Sequence, residues 1–396
     1  MQQLDSTLPI ARASPIVDRL GRVTPHPVRV AHLYSSLGVY GAERWTLALI
    51  AHLDPGIVHS LVLTIGTKPG ATDFHDLVMR RGLFAEHLAI PGKLNAAAIK
   101  ALRDVLKRER IDILHAHGFK SDILGFLACA RSGIPIISTV HGWSGREGLR
   151  IRLYEALGRI ALRGFDRIYP VSPALYDDLI AHGLSSERVK LIVNAVDIRQ
   201  FDACFAQRVA REPRATFNVL FAGRLCKPKG VHELIKAFAL VGNTMRLRFA
   251  GVGPEREQLE ITSARHGLAD RVEFVGAVDG MDKHFGWADV LVLPSYAEGI
   301  PRIVMECFAA GVPVIASDIP GIRTLIDAGS TGLLVPVRDT LALASALCVL
   351  ASDRALGPRL ALAARQLIES QFSAERLAAQ YTEEYQWLAG SARQMT

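Results

Sequence analysis

Residues 290–311 combine a predicted strand, a loop and a helix start, and they carry two glutamates in one compact unit. The segment opens with four apolar residues, V-L-V-L, which predict a buried strand. Glu298 follows in the loop, and Pro301 is expected at the first helical position, where a missing N–H has no consequence. Glu306 is then expected inside the helix. Because open α/β sheets bind ligands at the carboxyl ends of their strands, this unit is a candidate ligand site.

The same unit suits a ligand with phosphates in its middle and hydroxyl groups at both ends. The backbone of Gly299, Ile300 and Pro301 leads into a helix N-terminus, whose free N–H groups and positive dipole end favour phosphate. The two glutamates flank this turn and can accept hydrogen bonds from hydroxyl groups. These features predict a nucleotide sugar. A plain strand, turn and helix with two solvated glutamates would leave the same pattern, so both interpretations stay open here.

Two further loops repeat the order of strand, loop and helix. Residues 28–34 predict a strand, and Gly41 follows just before a helical pattern, which makes this loop a second candidate phosphate site or a tight turn. Residues 218–222 predict another strand, followed by Arg224 and Lys229. Those cations can neutralise a diphosphate, Arg through a forked donor set and Lys as a point charge, or they are ordinary surface charges.

Strands and helices alternate through both halves of the chain, which predicts two parallel-sheet α/β domains. The length of 396 residues agrees, because single cores stop growing at roughly 250–300 residues. Residues 202–216 lack apolar periodicity and are expected to link the domains, and residues 190–193 predict the last strand before them. The predicted organisation is a loose tail (1–26), a first domain (27–201), this linker, a second domain (217–372) and a final amphipathic helix (373–396).

Histidines mark the ends of two predicted strands in the first domain. His141 directly follows the strand of residues 134–140, where it can donate a hydrogen bond, act as an acid or base, or simply cap the strand. His115 and His117 have a spacing that suggests a metal ligand pair. The sequence shows no further ligand cluster beside them and no D-x-D triplet, so no metal is expected.

The net charge of +7 arises in the first half of the chain, where residues 1–200 contain 25 Lys and Arg against 18 Asp and Glu. Six arginines recur among apolar residues between positions 146 and 167, as in a helix that rests on an anionic membrane surface or in a solvated helix face. They are Arg146, Arg150, Arg152, Arg159, Arg163 and Arg167. No recognition motif for nucleic acid accompanies them, so no nucleic-acid partner is expected.

Cysteine usage and hydropathy predict a cytoplasmic protein, either free or peripheral on the inner face of the cytoplasmic membrane. The five cysteines are scattered and form no C-x-x-C pair, which argues against a disulfide framework and for a reducing compartment. No apolar run approaches the ~18 residues of a membrane span. The first 26 residues lack the apolar core of a signal peptide.

Several motifs, in a consistent order along residues 28–390, resemble those of retaining glycosyltransferases of family 4. Glu298 and Glu306 are separated by seven residues, and A-A-G-V-P-V-I-A-S-D follows them. T-V-H-G contains His141, G-R-L contains Arg224, and K-G begins with Lys229. The resemblance implies the GT-B fold, an α/β architecture in which two Rossmann-like parallel-sheet domains face a central cleft. It also implies that the final helix returns to the first domain, with Tyr381, Tyr385 and Trp387 packed there.

The resemblance implies transfer of a sugar from a nucleotide-diphosphate sugar, with retention and without a metal or other cofactor. The acceptor is expected to be a glycan or a lipid-linked molecule, as in the assembly of cell-surface polysaccharide or glycolipid. Glu298 is implied to orient the donor sugar, Glu306 to hold the ribose, and His141 to contact the donor sugar near the reacting bond. His141 and Glu298 are thus the implied catalytic residues. The residues implied to bind the donor phosphates are Arg224, Lys229, Gly41, Gly299, Ile300 and Pro301.

Two alternatives remain open at this point. A nucleotide-sugar 2-epimerase shares the fold, although the two glutamates together with G-R-L and K-G favour transfer. A non-catalytic sugar- or lipid-binding relic is the other alternative. It is kept open by Tyr40, Val252 and Thr324, which depart from the family pattern.

Overall fold

The structure is a computed structural model that describes residues 16–17, 23–24, 26–35, 38–39, 41–66, 73–89, 95–142, 149–212, 214–278 and 280–394. Its strands are β1 (Ile16–Val17), β2 (Val23–Thr24), β3 (Val28–Tyr34), β4 (Val58–Gly66), β5 (Ala85–Ala89), β6 (Ile113–His117), β7 (Ile136–Val140), β8 (Arg167–Pro170), β9 (Phe217–Ala222), β10 (Met245–Ala250), β11 (Val272–Gly276), β12 (Val290–Leu293), β13 (Val314–Ser317) and β14 (Leu333–Val335).

Its α-helices are α1 (Gly41–His52), α2 (Asp73–Arg80), α3 (Ala96–Arg108), α4 (Phe119–Cys129), α5 (Leu149–Leu162), α6 (Pro173–Ala181), α7 (Asp202–Val209), α8 (Val231–Ala239), α9 (Arg256–Arg265), α10 (Asp282–Trp287), α11 (Arg302–Ala309), α12 (Pro320–Arg323), α13 (Thr340–Ser352), α14 (Leu356–Gln371) and α15 (Ala374–Gln394). Two short 3-10 helices span Ile198–Phe201 and Lys227–Lys229.

Two six-stranded parallel sheets form the framework, as the sequence predicts. The first has the order β5-β4-β3-β6-β7-β8 and the second β11-β10-β9-β12-β13-β14. Each sheet grows outward in both directions from its first strand, which is the doubly wound order of a Rossmann-like domain. The switch points therefore lie between β3 and β6 and between β9 and β12. Ligands of such sheets bind there, outside the carboxyl ends of the strands.

Strand β12 of the second sheet is apolar throughout because both faces of that sheet are covered. In β12 all four side chains are at most 1% exposed. Helices pack on both sides of such a sheet, so an alternating apolar and polar pattern is neither needed nor found there. The two apolar clusters of the second domain lie on opposite faces of its sheet, with Leu291 and Leu293 in one and Val290 and Val292 in the other.

The last helix, α15, packs against the first domain although it follows the second in the chain. Tyr381 and Tyr385 are fully buried there, in one apolar cluster with Val28 and Trp45. Trp387 behaves differently: its side chain is half exposed, and the guanidinium of Arg167 lies 4.4 Å above its ring.

Two parts of the chain differ from the secondary structure expected from sequence. Residues 190–193 form no strand, although Ile192 N–H donates to the Pro170 carbonyl of β8 at 3.2 Å. The pairing there is reduced to an isolated bridge between Ile168 and Val189. Pro170 ends β8 and has no N–H with which to continue the ladder. The segment expected to be a linker contains the helix α7. Hydrogen bonds of Arg208 hold this helix in place: its guanidinium donates to the carbonyls of Gly311 and Phe285 at 2.8 and 2.7 Å.

No single helix among the described residues is long and apolar enough to cross a membrane. The pair α13 and α14 reaches the required length and hydropathy only jointly, and it is bent by 101°. Leu347 of α13 and Leu360 of α14 are both 0% exposed, so these helices face the core of the second domain.

Candidate active site

The loops after β9 and β12 are held together at the switch point of the second sheet. Gly230 adopts a φ of +66°, and a Cβ at this position would lie 1.9 Å from the carbonyl oxygen of Pro294. The backbone N–H of Tyr296 donates to the carbonyl of Pro228 at 2.8 Å. Only glycine permits this approach, which fixes the Lys227–Lys229 turn against the loop that carries Glu298.

A cation and a carboxylate meet where these loops join. Lys229 Nζ lies 2.5 Å from Glu298 Oε1, with side-chain exposures of 30% and 11%. Arg224 lies on the same loop as Lys229, with its side chain exposed. The structure therefore brings Lys229 and Glu298 into contact and leaves Arg224 free to approach a ligand from the same loop.

Helix α12 packs directly against the backbone of the turn that leads into α11. A Cβ at Gly321 in α12 would lie 1.9 Å from the Gly299 carbonyl oxygen and 2.2 Å from that of Glu298. Ile300 is 7% exposed and belongs to the core, so its backbone alone remains for a ligand. Pro301 is the N-cap residue and α11 begins at Arg302, one position later than the sequence predicts. The proline φ of −72° suits either position.

Arg302 is a site residue that the sequence analysis missed. Its Nη2 lies 2.9 Å from Glu306 Oε1, and its Nη1 donates to the carbonyl of Gly41 at 3.5 Å. Glu306 is 8% exposed. The arginine thus joins the first turn of α11 in the second domain to the first residue of α1 in the first domain. The signal in the sequence is its i, i+4 spacing from Glu306, which predicts an ion pair on a helix.

A second contact closes the cleft nearby. Ser172, the N-cap of α6, is 1% exposed, and its Oγ would lie 3.6 Å from a Cβ at Gly299. Gly41 and Gly299, both expected at the donor phosphates, therefore lie on opposite walls of one cleft.

His141 lies in this cleft, at the carboxyl end of β7. Burial, together with the smaller effect of the positive charge on Arg302, lowers the pKa of His141 to about 3. Trp45 contacts the ring edge-on, with centroids 5.0 Å apart. The imidazole is therefore neutral at physiological pH, with one nitrogen as donor and the other as acceptor.

Behind His141 lies a buried histidine cluster made of His32, His115 and His117. One ring nitrogen from each lies within 4.8 Å of the others, which is a spacing that a metal ion could use. However, His115 Nδ1 pairs with the Tyr385 hydroxyl and His115 Nε2 with Thr139 Oγ1, both at 2.8 Å. Since both nitrogens are already paired, the geometry favours a polar network over a metal centre.

A cavity of about 240 Å³ adjoins Glu306 and Arg302 between the two domains. Arg44 and Arg81 line it from the first domain, and Asp282 lines it from the second. Three arginines against two carboxylates give this cavity a positive balance, which suits an anionic ligand.

Three of the six arginines near α5 contact other groups of the protein, and the other three have no described side chain. Arg146 lies outside the described residues, and for Arg150 and Arg152 the backbone alone is described. Arg159 pairs with Asp178 at 3.3 Å, and the two others donate to carbonyls, Arg163 to His182 and Arg167 to Glu187. These three arginines therefore have partners within the protein. Among the α5 side chains that the structure describes, Leu153, Leu157 and Ile160 are large, apolar and exposed.

Two of the three departures from the family pattern, Val252 and Thr324, are among the described residues. Tyr40 lies outside the described residues. Val252 is 54% exposed, and its backbone carbonyl accepts from Leu225 at 3.0 Å. Thr324 ends α12, and its hydroxyl donates to the Pro320 carbonyl at 3.3 Å. Both described residues thus hold loop backbone in place.

Two family models together span most of the chain. The model described as Glycosyltransferase Family 4 matches residues 22–200, and the one described as Glycosyl transferases group 1 matches residues 216–353. The first match contains the first sheet, and the second contains the second sheet. The chain belongs to the GT4-type glycosyltransferases.

Curated relatives agree with this assignment. Glycogen synthase of Mycobacterium tuberculosis (strain ATCC 25618 / H37Rv) is 28% identical over 324 residues, which cover 78% of this chain and 77% of that protein. D-inositol 3-phosphate glycosyltransferase of Pseudarthrobacter chlorophenolicus is 27% identical over 340 residues, with coverages of 78% and 77%. The second of these relatives is a glycosyltransferase by name.

Solved structures show the same fold. Anabaena HepE in complex with UDP superimposes with a TM-score of 0.77 at 21% identity, covering 90% of this chain and 99% of that one. Sucrose-phosphate synthase of Thermosynechococcus elongatus gives a TM-score of 0.73 at 22% identity, covering 92% and 100%. The two facing parallel sheets and these likenesses together identify the GT-B fold.

Proposed function

We propose that this glycosyltransferase is a retaining enzyme that takes its sugar from a nucleotide-diphosphate donor bound in the cleft. The observation that carries this proposal is the presence of two ion pairs around the start of α11, Lys229 with Glu298 and Arg302 with Glu306. The second pair also reaches the first domain, where Arg302 donates to the Gly41 carbonyl. Cations and helix N–H groups suit the diphosphate, and carboxylates suit the hydroxyls at each end. Because HepE holds UDP, a uridine nucleotide is the first candidate donor.

Charge development explains why these residues suit transfer. When the bond between the anomeric carbon and the phosphate oxygen breaks, positive charge grows on the sugar and negative charge on the departing diphosphate. Lys229, Arg224 and the N–H groups at the start of α11 stabilise that negative charge from fixed positions. The acceptor hydroxyl bonds to the anomeric carbon on the face the phosphate leaves, and its proton passes to the phosphate oxygen.

The proposed site needs no metal ion, because protein cations supply the charge that a divalent ion would supply. Glu298 serves to orient the donor sugar and Glu306 to hold the ribose. His141 completes the site from the first domain, where its neutral imidazole faces the donor sugar.

Binding of the donor nucleotide is expected to raise the thermal midpoint of unfolding. A ligand that binds only the folded state at a hundredfold excess over Kd contributes about 2.7 kcal/mol. The measurement is a melting series with UDP, GDP and ADP and their sugars, with and without EDTA. We expect a shift with one nucleotide, unchanged by EDTA and lost in Arg224→Ala.

The matched control is Arg265→Ala, which removes an exposed arginine at the end of α9. It should keep the shift. A shift that vanishes with EDTA would contradict the metal-free site, and no shift with any nucleotide would contradict the proposed donor class.

The acceptor is proposed to be a lipid-linked or anionic glycan presented at the cytoplasmic face of a membrane. Leu153, Leu157 and Ile160 are 59%, 43% and 57% exposed and recur at i, i+4 and i+7 along α5. This spacing places them on one face of the helix. An apolar stripe that adjoins basic residues fits the interface of an anionic bilayer.

Leu157→Asp is expected to weaken binding to anionic vesicles by about 10–100-fold, because one buried leucine contributes roughly 1.5–3 kcal/mol. The measurement is co-sedimentation with phosphatidylglycerol vesicles at low salt. Leu341→Asp is the matched control, since Leu341 is 72% exposed on α13 of the second domain. Equal binding of wild type and Leu157→Asp would show that α5 is not the docking face.

A further inference from the structure

A file of three imidazole rings leads from the interior of the first domain to the cleft. His32 lies in β3, His117 at the end of β6 and His141 just after β7, which are three adjacent strands. His32 Nδ1 lies 3.3 Å from His117 Nε2, and His117 Nδ1 lies 3.3 Å from His141 Nε2. Two ring-to-ring hydrogen bonds therefore connect buried His32 to the candidate catalytic His141.

All three rings are neutral. Burial lowers the pKa of His32 to about 3 and that of His117 well below its ordinary value. The pKa of His141 is likewise lowered to about 3. A neutral imidazole carries one proton, so one nitrogen donates and the other accepts. Since His117 uses both nitrogens, the two hydrogen bonds must run in the same direction. The protons either all point toward His141 or all point away from it.

The far end of the file favours one direction. His32 Nε2 is buried and has no hydrogen-bond partner among the described residues. If the protons pointed away from the cleft, His32 Nδ1 would accept, and its single proton would lie on the buried Nε2 as an unpaired N–H. Buried N–H groups without a partner are rare in proteins. With the protons directed toward the cleft, His32 Nε2 is a bare nitrogen, and the N–H groups of His32 and His117 are both paired.

Packing prevents the rings from turning to other partners. Tyr34 stacks on His117 with centroids 4.5 Å apart and an interplanar angle of 9°. At the other end of the file, Trp45 packs edge-on against the ring of His141. His117 is 5% exposed and His32 is 0% exposed, so solvent does not compete for their nitrogens.

We propose that His117 is a positioning residue that fixes His141 as the tautomer protonated on Nδ1, with His32 setting the direction. His117 Nδ1–H donates to His141 Nε2, so that the other nitrogen of His141 carries an N–H donor. In its consequence for catalysis the proposal rests on the proposed function: this N–H is held ready for an oxygen of the nucleotide sugar. His117 of β6 thereby gains a role that requires no metal.

The test is the ¹⁵N NMR spectrum of the histidine ring nitrogens, which distinguishes protonated from bare nitrogen and needs neither donor nor acceptor. His141→Asn identifies the signals of His141. At neutral pH we expect a protonated Nδ1 and a bare Nε2 for His141 in the wild type. Protonation of Nε2, or of both nitrogens, would overturn the proposal.

Variants of His117 supply the second readout. In His117→Phe the tautomer of His141 should shift toward Nε2–H, and kcat should fall on the order of 10–100-fold, the range for partners that orient a functional histidine, with KM little changed. His117→Asn keeps an N–H near the Nδ1 position and should retain both the Nδ1–H tautomer and most of the activity. A wild-type tautomer in His117→Phe would overturn the proposal even if activity fell. If the spectra were as expected but the wild type and both His117 variants all lacked transferase activity, the proposed function would be contradicted and the proposed tautomer would stand.

Discussion

Replacing Lys229 with alanine is expected to lower kcat/KM for sugar transfer by a factor on the order of 10²–10³. The ammonium group stabilises the diphosphate as it departs, and its position is fixed by the Gly230 turn and by Glu298. A preorganised charge of this kind is worth more in a closed cleft than in water. The measurement is initial-rate kinetics with the donor that the melting series identifies, followed through release of the nucleoside diphosphate.

Lys227→Ala is the matched control for this substitution. Lys227 lies in the same 3-10 turn but is exposed, and no contact to the site is described for it. It should keep kcat/KM within about twofold, as exposed surface substitutions away from special features have small effects. Equal losses in the two variants would mean that general charge, and not the position of Lys229, matters. Full activity in Lys229→Ala would exclude it from the site.

The free energy of unfolding is expected to fall by roughly 4 kcal/mol per pH unit as the pH decreases from about 6 to about 4.5. Three histidines, His32, His115 and His117, are at most 5% exposed, and burial lowers the pKa of each below its ordinary value. In the unfolded chain they bind protons below about pH 6.5. The unfolded state therefore binds more protons than the folded state, and stability rises with pH in this range and is lost as the pH falls.

Asp122 opposes this trend. Burial raises the pKa of this carboxyl to about 7, although the Ser138 hydroxyl donates to it at 2.8 Å. Between about pH 4 and pH 7 the folded state thus keeps a proton that the unfolded state has released. Its contribution to stability falls as the pH rises, by about 1.4 kcal/mol per unit. His141, whose pKa is also lowered to about 3, adds a fourth histidine. Four histidines against one aspartate leave a net difference of about three protons.

The charged groups that lie nearest the cluster do not cancel this effect. Arg302 acts on His141 and disfavours its protonation. Glu43 lies near Tyr34, and Glu384 accepts from the Tyr169 hydroxyl at 2.7 Å, so both carboxylates act mainly on tyrosines.

Urea unfolding at pH 7.5, 6.5, 5.5 and 4.5, followed by circular dichroism and tryptophan fluorescence, measures this dependence. His32→Phe should reduce the slope by about 1.4 kcal/mol per pH unit, because one proton fewer is taken up on unfolding. His266→Gln, at an exposed position after α9, should leave the slope unchanged. A free energy of unfolding that is constant across this range would contradict the neutral buried cluster.

Most of the framework could be predicted from the sequence because local patterns carry it. The alternation of apolar runs with helical periodicity gave two parallel-sheet domains, and both β3 and β12 lie at the predicted residues. Parallel strands buried on both faces leave long apolar runs, which are hard to mistake. By contrast, α7 is anchored by hydrogen bonds of Arg208 to distant carbonyls, which a periodicity of apolar residues does not reveal.

The sequence determined which chemical groups lie at strand ends, since residues that follow a parallel strand must emerge at its carboxyl edge. That is why Glu298, Lys229 and His141 could be named in advance. Only the tertiary structure decided which residues contact one another. Arg302 contacts both Glu306 and Gly41, the latter 261 positions away in the chain. His117 contacts both His32 and His141. These contacts depend on how the two sheets, and the three adjacent strands within one sheet, pack in space. The spacing of residues along the chain does not reveal distances between residues that are far apart in sequence.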